Sequence, residues 1–202
     1  SEWALFDYDP DGDMPKHLQT DDVETWISLM DEMIPGFSGA AKVVTPSTTS
    51  RILSYDEPAY PSRGFHCFVQ VEDTDDLERF AQELKALARI HKNGYTAKTK
   101  NGAVIAKTIT DLTTFSPERV VFDGKPVVSG GGLSVANSDI KVFPGGRLDT
   151  SLTLITKQQA KAIEKQTGDR IVFSKSGTGR RLASTVNYML LTLETVFTVD
   201  TG

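Results

Sequence analysis

The segment FHCFVQV, residues 65–71, decides the fold class because its apolar side chains recur at every second position. A period of two places alternate side chains on opposite faces of a β-strand. One face is apolar and consists of Phe65, Cys67, Val69 and Val71. The other face carries His66, Phe68 and Gln70. A sheet that contains this strand therefore has one face that belongs to the core.

Upstream of this segment, the sequence predicts a strand, a helix and a further strand. Residues 3–8 form a short apolar run that ends in acidic residues, which is typical of a buried strand. Thr20 is the expected N-cap of a helix that ends at Pro35-Gly36. Its apolar stripe consists of Val23, Trp26, Ile27, Met30 and Ile34. A strand at residues 41–45 follows, and a loop rich in Ser, Thr and Pro then contains a short strand near residues 51–53.

Downstream, a second amphipathic helix begins within residues 73–76 and ends at Asn93-Gly94. Its buried stripe consists of Leu77, Phe80, Ala81, Leu84 and Ala88. Strands are expected near residues 95–98 and 103–111, with a turn at Asn101-Gly102 between them. The order strand, helix, strand, strand, helix, strand predicts an α+β fold with a mainly antiparallel sheet backed by helices.

The C-terminal third of the chain gives fewer signals. Thr156 and Gln159 form a capping box for a short helix that ends at Gly168. A last apolar segment runs over residues 182–199.

Composition restricts the class of protein. Of the 202 residues, 39% are apolar, which is enough for a core and excludes a disordered chain. The formal charge of −5 excludes nucleic-acid binding through bulk positive charge alone. Cys67 is the single cysteine, which excludes an internal disulfide or a thiolate-rich zinc site and fits a reducing cytoplasm. No apolar run reaches transmembrane length, so the sequence predicts a soluble cytoplasmic protein with no membrane partner.

Charge is distributed unevenly along the chain. Residues 1–83 carry 18 acidic and 5 basic side chains, residues 84–140 carry 4 and 8, and residues 141–202 carry 5 and 9. The stretch 84–110 has no acidic residue and contains Lys85, Arg89, Lys92, Lys98, Lys100 and Lys107. This distribution fits an acidic, metal-attracting region beside a basic, phosphate-attracting one, and it equally fits solvated helix and loop surfaces.

The densest cluster of ionisable side chains is LFDYDPDGD, residues 5–13. Asp7 and Asp9 are two positions apart on a strand, which places them on one face about 7 Å apart along the backbone and lets them share divalent cations. Asp11 and Asp13 follow Pro10 in a turn and are expected to be solvated.

Three other interpretations of this cluster are open. An EF-hand loop that starts at Asp7 would have Gly12 at its sixth position but Leu18 where a bidentate Glu is required. A phosphatase of the haloacid dehalogenase type has Thr or Val four residues after its first Asp, whereas this chain has Asp11. The third interpretation is an acidic turn that caps a strand and has no chemical role.

Two later segments carry candidate partners for the cluster. Ser62, Arg63 and Gly64 precede His66, which faces away from the apolar side of its strand, and this combination suits phosphate oxygens. The alternative is a structural histidine. Cys67 points to the core and forms no catalytic pair with His66.

On the strand at 103–111, parity places Ile105, Lys107, Ile109 and Asp111 on one side. Asp111 thus completes a carboxylate triad with Lys107 nearby, or else it simply caps the strand.

In this order, the segments resemble the archaeo-eukaryotic primase superfamily, especially the primase-polymerase domains of phage, plasmid and mobile-element replication proteins. The first motif of that superfamily is matched by Phe6-Asp7-Tyr8-Asp9 and the second by Ser62-Arg63-Gly64-Phe65-His66. The third is matched by Ile109-Thr110-Asp111, followed by Arg119 in SPERVVF, residues 116–122. The similarity spans residues 3–128, about two-thirds of the chain.

The resemblance implies a fold, a site and a set of partners. The fold is an RRM-like sheet with an additional α/β element, with a catalytic core over residues 1–128 and a C-terminal extension, residues 129–202, packed on it. Asp7, Asp9 and Asp111 are the implied catalytic ligands of two Mg²⁺ or Mn²⁺ ions. The implied nucleotide-binding residues are Ser62, Arg63, Gly64, His66, Lys107 and Arg119.

The implied activity is template-directed nucleotidyl transfer by a DNA primase or polymerase in the cytoplasm of a bacterial or archaeal host cell. Its partners are a single-stranded DNA template and primer, NTP or dNTP substrates and a replicative helicase. Superfamily members usually carry an α/β segment before the first motif. The expectation is therefore either a protein that lacks part of the catalytic unit or a trimmed piece of a longer chain. The zinc-binding cysteines of some members are absent. The alternative is a non-catalytic nucleic-acid-binding or origin-recognition domain.

Overall fold

A computed structural model describes residues 2–55, 57–58, 64–115, 126–129, 131–137, 140–167, 172–176 and 179–184. The helices are α1 Val23–Asp31, α2 Leu77–Ile90 and α3 Lys157–Thr167. The strands are β1 Trp3–Tyr8, β2 Lys42–Pro46, β3 Ile52–Ser54, β4 Glu57–Pro58, β5 Phe65–Gln70, β6 Gly94–Lys98, β7 Val104–Thr108, β8 Leu133–Val135, β9 Lys141–Phe143, β10 Val172–Ser176 and β11 Gly179–Ser184.

The central sheet has four strands in the order β1-β5-β2-β9, and all neighbouring strands are antiparallel. The strand predicted at residues 65–71 is β5, which lies between β1 and β2. His66 is opposite Asp7 on one side and Thr45 on the other. Smaller antiparallel sheets are formed by β4-β3-β8, by β6-β7 and by β10-β11. The predicted α+β class with mainly antiparallel sheets is confirmed.

One face of the central sheet forms the core, as the alternation in β5 predicts. Phe65 is 5% exposed, and Cys67, Val69 and Val71 are fully buried. Aromatic rings from β1, β5, α1, α2 and the segment after α1 pack on this face with centroids 4.8–6.3 Å apart; they belong to Phe6, Tyr8, Trp26, Phe37, Phe65 and Phe80. Truncation of one such ring typically costs about 3–5 kcal/mol, so this cluster is a main source of the stability of the fold.

Helix α1 differs from its prediction at both ends. The N-cap is Asp22, whose Oδ2 accepts a hydrogen bond from the Thr25 amide at 2.9 Å, whereas Thr20 Oγ1 accepts from the Asp22 amide at 3.0 Å. Hydrogen bonds from Thr25 lower the pKa of Asp22 to about 2. The α-helix ends at Asp31, and Ile34 reaches the core from the following turn.

The hairpin β6-β7 forms as the turn at Asn101-Gly102 predicts, and Gly102 has a φ of 80° that suits glycine. However, β7 ends at Thr108, so the strand predicted to reach Asp111 is shorter. Beyond it, Asp111 makes an isolated antiparallel bridge to Asp7.

The later segments share the core of the earlier ones. Strand β9 extends the central sheet, and Leu148, Ile155 and Ala160 belong to the same hydrophobic cluster. The predicted capping box is present: the Thr156 amide donates to Gln159 Oε1 at 2.8 Å and the Gln159 amide donates to Thr156 Oγ1 at 3.1 Å. Of the apolar segment predicted at 182–199, residues beyond 184 lie outside the described part. No described helix has the length and apolar character needed to cross a bilayer.

Candidate active site

Asp7 lies where three distant parts of the chain meet. It is opposite His66 in the β1-β5 pairing, and its carbonyl accepts hydrogen bonds from the Asp111 amide at 2.8 Å and from Thr110 Oγ1 at 3.0 Å. The His66 Nε2 and Asp7 Oδ1 atoms are 3.7 Å apart. The sheet edge thus brings the predicted first motif into contact with residues from the second and third.

A cleft of about 440 Å³ opens beside this junction. Four predicted site residues line it together: Asp7, Asp9, Lys107 and Asp111. Asp7 and Asp9 come from β1 and the residue after it, Lys107 from β7, and Asp111 from the segment after β7. The structure therefore places the carboxylates and the lysine on one concave surface.

Burial and neighbouring carboxylates both disfavour the charged form of Asp9 in this cleft. Desolvation raises the pKa of Asp9, and the neighbouring Asp11 and Asp111 carboxylates raise it further. Lys107 and His66 oppose that shift. A group of carboxylates that repel one another gains stability when a cation binds among them.

Lys107 is held by an acidic residue that the sequence did not assign to the site. Its Nζ lies 2.5 Å from Asp11 Oδ2. Asp13, two residues later, accepts a hydrogen bond from the Lys98 amide through Oδ2 at 3.0 Å. Asp13 is exposed as expected, whereas the Asp11 side chain is 32% exposed and its ion pair joins the acidic loop to the β6-β7 hairpin.

His66 faces away from the apolar side of β5, as the sequence predicts, but its side chain does not face an open site. Its side chain is only 7% exposed, although it lies on the same face of the sheet as Asp7. The face opposite the main core is covered here, which alternation within one strand does not reveal. The assignment of His66 to nucleotide binding stays a prediction.

Gly64 connects the second motif to the first by close packing. A Cβ atom built on Gly64 would lie 2.7 Å from the Tyr8 carbonyl oxygen, 3.2 Å from Asp9 Oδ1 and 3.2 Å from Ser47 Oγ. The absence of a side chain at this position therefore lets β5 begin against the end of β1. The predicted nucleotide ligands Ser62, Arg63 and Arg119 lie outside the described residues.

Ser47 is a candidate site residue that the sequence did not indicate. Its Oγ is buried, has no hydrogen-bond partner in the structure, and approaches the same point beside Gly64 as the Asp9 carboxylate. Its only sequence signal is a hydroxyl one residue after β2, within a segment rich in Ser and Thr.

The donor atoms suit Mg²⁺ or Mn²⁺, which prefer carboxylate oxygens. Their spacing is less favourable: within the described ranges, no group of three or more His, Cys, Asp or Glu side chains is gathered closely enough to hold a metal ion. Asp7, Asp9 and Asp111 thus share a cleft and fit such a cation by chemistry, but a cation shared by all three requires side-chain movement. The EF-hand interpretation fails, because Asp7 lies within β1 rather than after a helix.

Comparison of the chain with family models, with curated proteins and with solved structures gave no match. The structure defines an α+β protein with an acidic cleft at the edge of an antiparallel sheet. The residues of this cleft are the main indication of the function of this protein.

Proposed function

We propose that this protein is a metal-dependent nucleotidyltransferase of the primase-polymerase type, which extends nucleic-acid chains on a single-stranded DNA template. The observation that carries the proposal is the contact between Asp7 and Asp111. These residues are far apart in the sequence, yet the Asp111 amide donates to the Asp7 carbonyl at 2.8 Å and both residues line one cleft with Asp9.

In this function, the three carboxylates hold divalent cations and Lys107 faces the triphosphate. Two Mg²⁺ or Mn²⁺ ions, when bound, activate the attacking 3′-hydroxyl and neutralise the triphosphate charge. Lys107 already lies in the cleft and exchanges its Asp11 partner for phosphate oxygens. Ser62, Arg63, Gly64, His66 and Arg119 remain proposed nucleotide-binding residues.

The order of the secondary structure supports the RRM-like description. Strands β1 and β2 both run antiparallel to β5, which lies between them, and the connection from β1 to β2 contains α1. Asp111 makes an antiparallel bridge on the free side of β1, which is where the fourth strand of an RRM-like sheet lies. The smaller sheets, the β6-β7 hairpin and α3 are additions to this arrangement.

A template is expected to contact the basic surface beside the cleft. Lys92, Lys98 and Lys100 are exposed on or next to the β6-β7 hairpin. Lysines placed in this way neutralise backbone phosphates without selecting a base sequence.

The second candidate is a nucleic-acid-binding or origin-recognition domain without catalysis. It is favoured by the absence of a gathered metal-ligand group among the described residues. Such a domain needs the sheet and the basic surface but neither the carboxylates nor a cation.

Primer extension in Mn²⁺ with labelled nucleotides distinguishes the two candidates. Asp7→Asn and Asp111→Asn should each lower the extension rate on the order of 10³-fold or more, since each removes a charged cation ligand while keeping its shape. Asp75→Asn, an exposed acid on the approach to α2, is the matched control and should act like the wild type. Wild-type protein that binds DNA but extends no primer in Mn²⁺ or Mg²⁺ would support the second candidate.

A further inference from the structure

A second cleft of about 260 Å³ lies on the helical side of the central sheet. Val44 and Phe65, whose side chains belong to the core face, form part of its wall, and Val23 at the start of α1 forms another part. Asp7 belongs to the opposite face, since it is paired with His66 rather than with Phe65, and neither Asp7 nor Asp9 lines this cleft. This cleft therefore contains none of the proposed cation ligands, although Gly64, a proposed nucleotide-binding residue, forms part of its wall.

The polar lining of this cleft contains an unused buried donor. Arg51 is the last residue of a short 3₁₀ turn, Thr49–Arg51, and lines this cleft. Its Nε is buried and has no hydrogen-bond partner in the structure. Buried donors are nearly always paired in folded proteins, so an unpaired guanidinium N–H in a cleft indicates a missing acceptor.

Other donors line the same cleft. Asn137 and Lys141 contribute an amide and an ammonium group. Ser50 also lines the cleft, but its hydroxyl donates to the Ser47 carbonyl at 2.8 Å. Lys141 Nζ lies 3.2 Å from Glu24 Oε2, in an ion pair whose side chains are both about half exposed. A partner of this kind is readily exchanged, because exposed ion pairs contribute little stability.

We propose that this cleft binds a phosphate group, with Arg51 as its main ligand and Lys141 as a supporting donor. Guanidinium groups match phosphate oxygens in geometry as well as in charge. The apolar wall of Val23, Val44 and Phe65 keeps the local dielectric low, which strengthens such hydrogen bonds. The phosphate belongs to a free nucleotide or to the backbone of a bound strand, which present the same chemistry.

Asp21 also lines the cleft and opposes an anion there. Binding therefore depends on the directed hydrogen bonds of Arg51 and not on net positive charge. Removal of the Asp21 charge should consequently strengthen phosphate binding.

The test is a titration with inorganic phosphate in the presence of a chelator, at constant ionic strength, followed through the arginine Nε–Hε resonances. The chelator removes divalent cations, so the carboxylate cleft does not contribute. A saturable shift of the Arg51 resonance is expected, with a dissociation constant of about 1 mM or lower. Arg51→Lys identifies that resonance and should weaken binding about 10-fold or more, because it keeps the charge but loses the fork of N–H donors.

The matched control is Arg147→Lys, since Arg147 is exposed and paired with Glu2 away from the cleft. It should bind phosphate like the wild type, and Asp21→Asn should bind several-fold more tightly. No saturable shift at Arg51 up to about 10 mM phosphate, or equal affinity in wild type and Arg51→Lys, would overturn the proposal. Because Asp7→Asn should leave this affinity unchanged, failure of the proposed catalytic function is distinguishable from failure here.

Two further arms identify the source of the phosphate. Adenosine monophosphate that competes with inorganic phosphate at Arg51 more strongly than a short oligodeoxythymidine of equal phosphate concentration indicates a nucleotide site. The reverse order indicates a contact with a nucleic-acid backbone. If neither competes, the cleft does not bind phosphate esters and the proposal is wrong.

Discussion

Substitution of Gly64 by alanine probes the packing that joins the two predicted motifs. The new methyl group would lie 2.7 Å from the Tyr8 carbonyl oxygen, a backbone atom that moves only if the end of β1 moves. Favourable contacts between heavy atoms occur at about 3.5–4.0 Å, so β1 and β5 must separate at the Tyr8–Phe65 pair. Overpacking of this kind typically costs about 1–3 kcal/mol.

We therefore expect Gly64→Ala to lower the free energy of unfolding by about 1–3 kcal/mol. For a chain of this length, each kcal/mol corresponds to a change in melting temperature of about 2–4 °C. The displacement should also affect Asp9, because the same methyl group would lie 3.2 Å from its Oδ1 atom. Metal-dependent extension should consequently fall by more than the loss of folded protein explains.

Urea denaturation measures the stability difference, and Gly12→Ala is the control. Gly12 lies in the same acidic loop region, and a Cβ there would meet nothing within 4 Å. Alanine at such a position is expected to be neutral or slightly stabilising, because it restricts the unfolded chain. If Gly64→Ala is as stable as Gly12→Ala, the close approach of β5 to β1 is absent in solution and the argument is refuted.

Three further predictions concern the site and its surroundings. The folded-state pKa of Asp9 is raised by burial and neighbouring carboxylates, so its protonated form stabilises the fold at low pH and this contribution is lost as the pH rises through the folded pKa. The stability advantage of Asp9→Asn over the wild type should thus grow as the pH rises from the ordinary aspartate pKa of 3.8 through the raised folded-state pKa. Urea denaturation that shows a pH-independent difference would contradict this. His66→Ala should lower the free energy of unfolding by about 1–3 kcal/mol because the side chain is buried. If His66 donates to a triphosphate, the variant should also weaken nucleotide use by about 10- to 150-fold. Normal nucleotide affinity in the remaining folded protein would rule out the assignment of the second motif to nucleotide binding. Charge reversal at Lys92, Lys98 and Lys100 should weaken DNA binding equally for all sequences and reduce its salt dependence. DNA titrations at several salt concentrations measure both effects. If the variant matches the wild type, these lysines are only a solvated surface.

The loop that contains Asp11 and Asp13 shows how the acidic and basic parts of the chain are combined. Asp11 forms an ion pair with Lys107, and Asp13 accepts a hydrogen bond from the Lys98 amide. Two carboxylates of the acidic N-terminal segment thus contact the β6-β7 hairpin, which belongs to the stretch without acidic residues. Because Lys107 also lines the cleft, its charge is available to a ligand only in competition with Asp11.

Local periodicity determined the elements that bury one continuous face. The bounds of β1, the alternation of β5 and the capping box of Thr156 and Gln159 follow from the spacing of side chains along a few turns or residues. The stripe predicted for α2 is confirmed except at Ala81, which is only partly buried, and it lacks the buried Glu83 and Leu87. The physical reason is that a strand or helix with one apolar face has only one favourable orientation against a core. The N-cap of α1 shows the limit of such patterns, since Thr20 and Asp22 are both suitable caps and only the hydrogen bond to Thr25 selects Asp22.

Only the tertiary structure decided how the chemically important residues are placed. Asp111 meets Asp7 because the chain returns to the free edge of β1 after the hairpin, and no local pattern encodes that return. The burial of His66, the Asp11–Lys107 ion pair and the fit of Gly64 against Tyr8 likewise depend on elements distant in sequence. Periodicity states which face of an element is apolar, whereas the layer that covers the other face is set by how the whole chain packs.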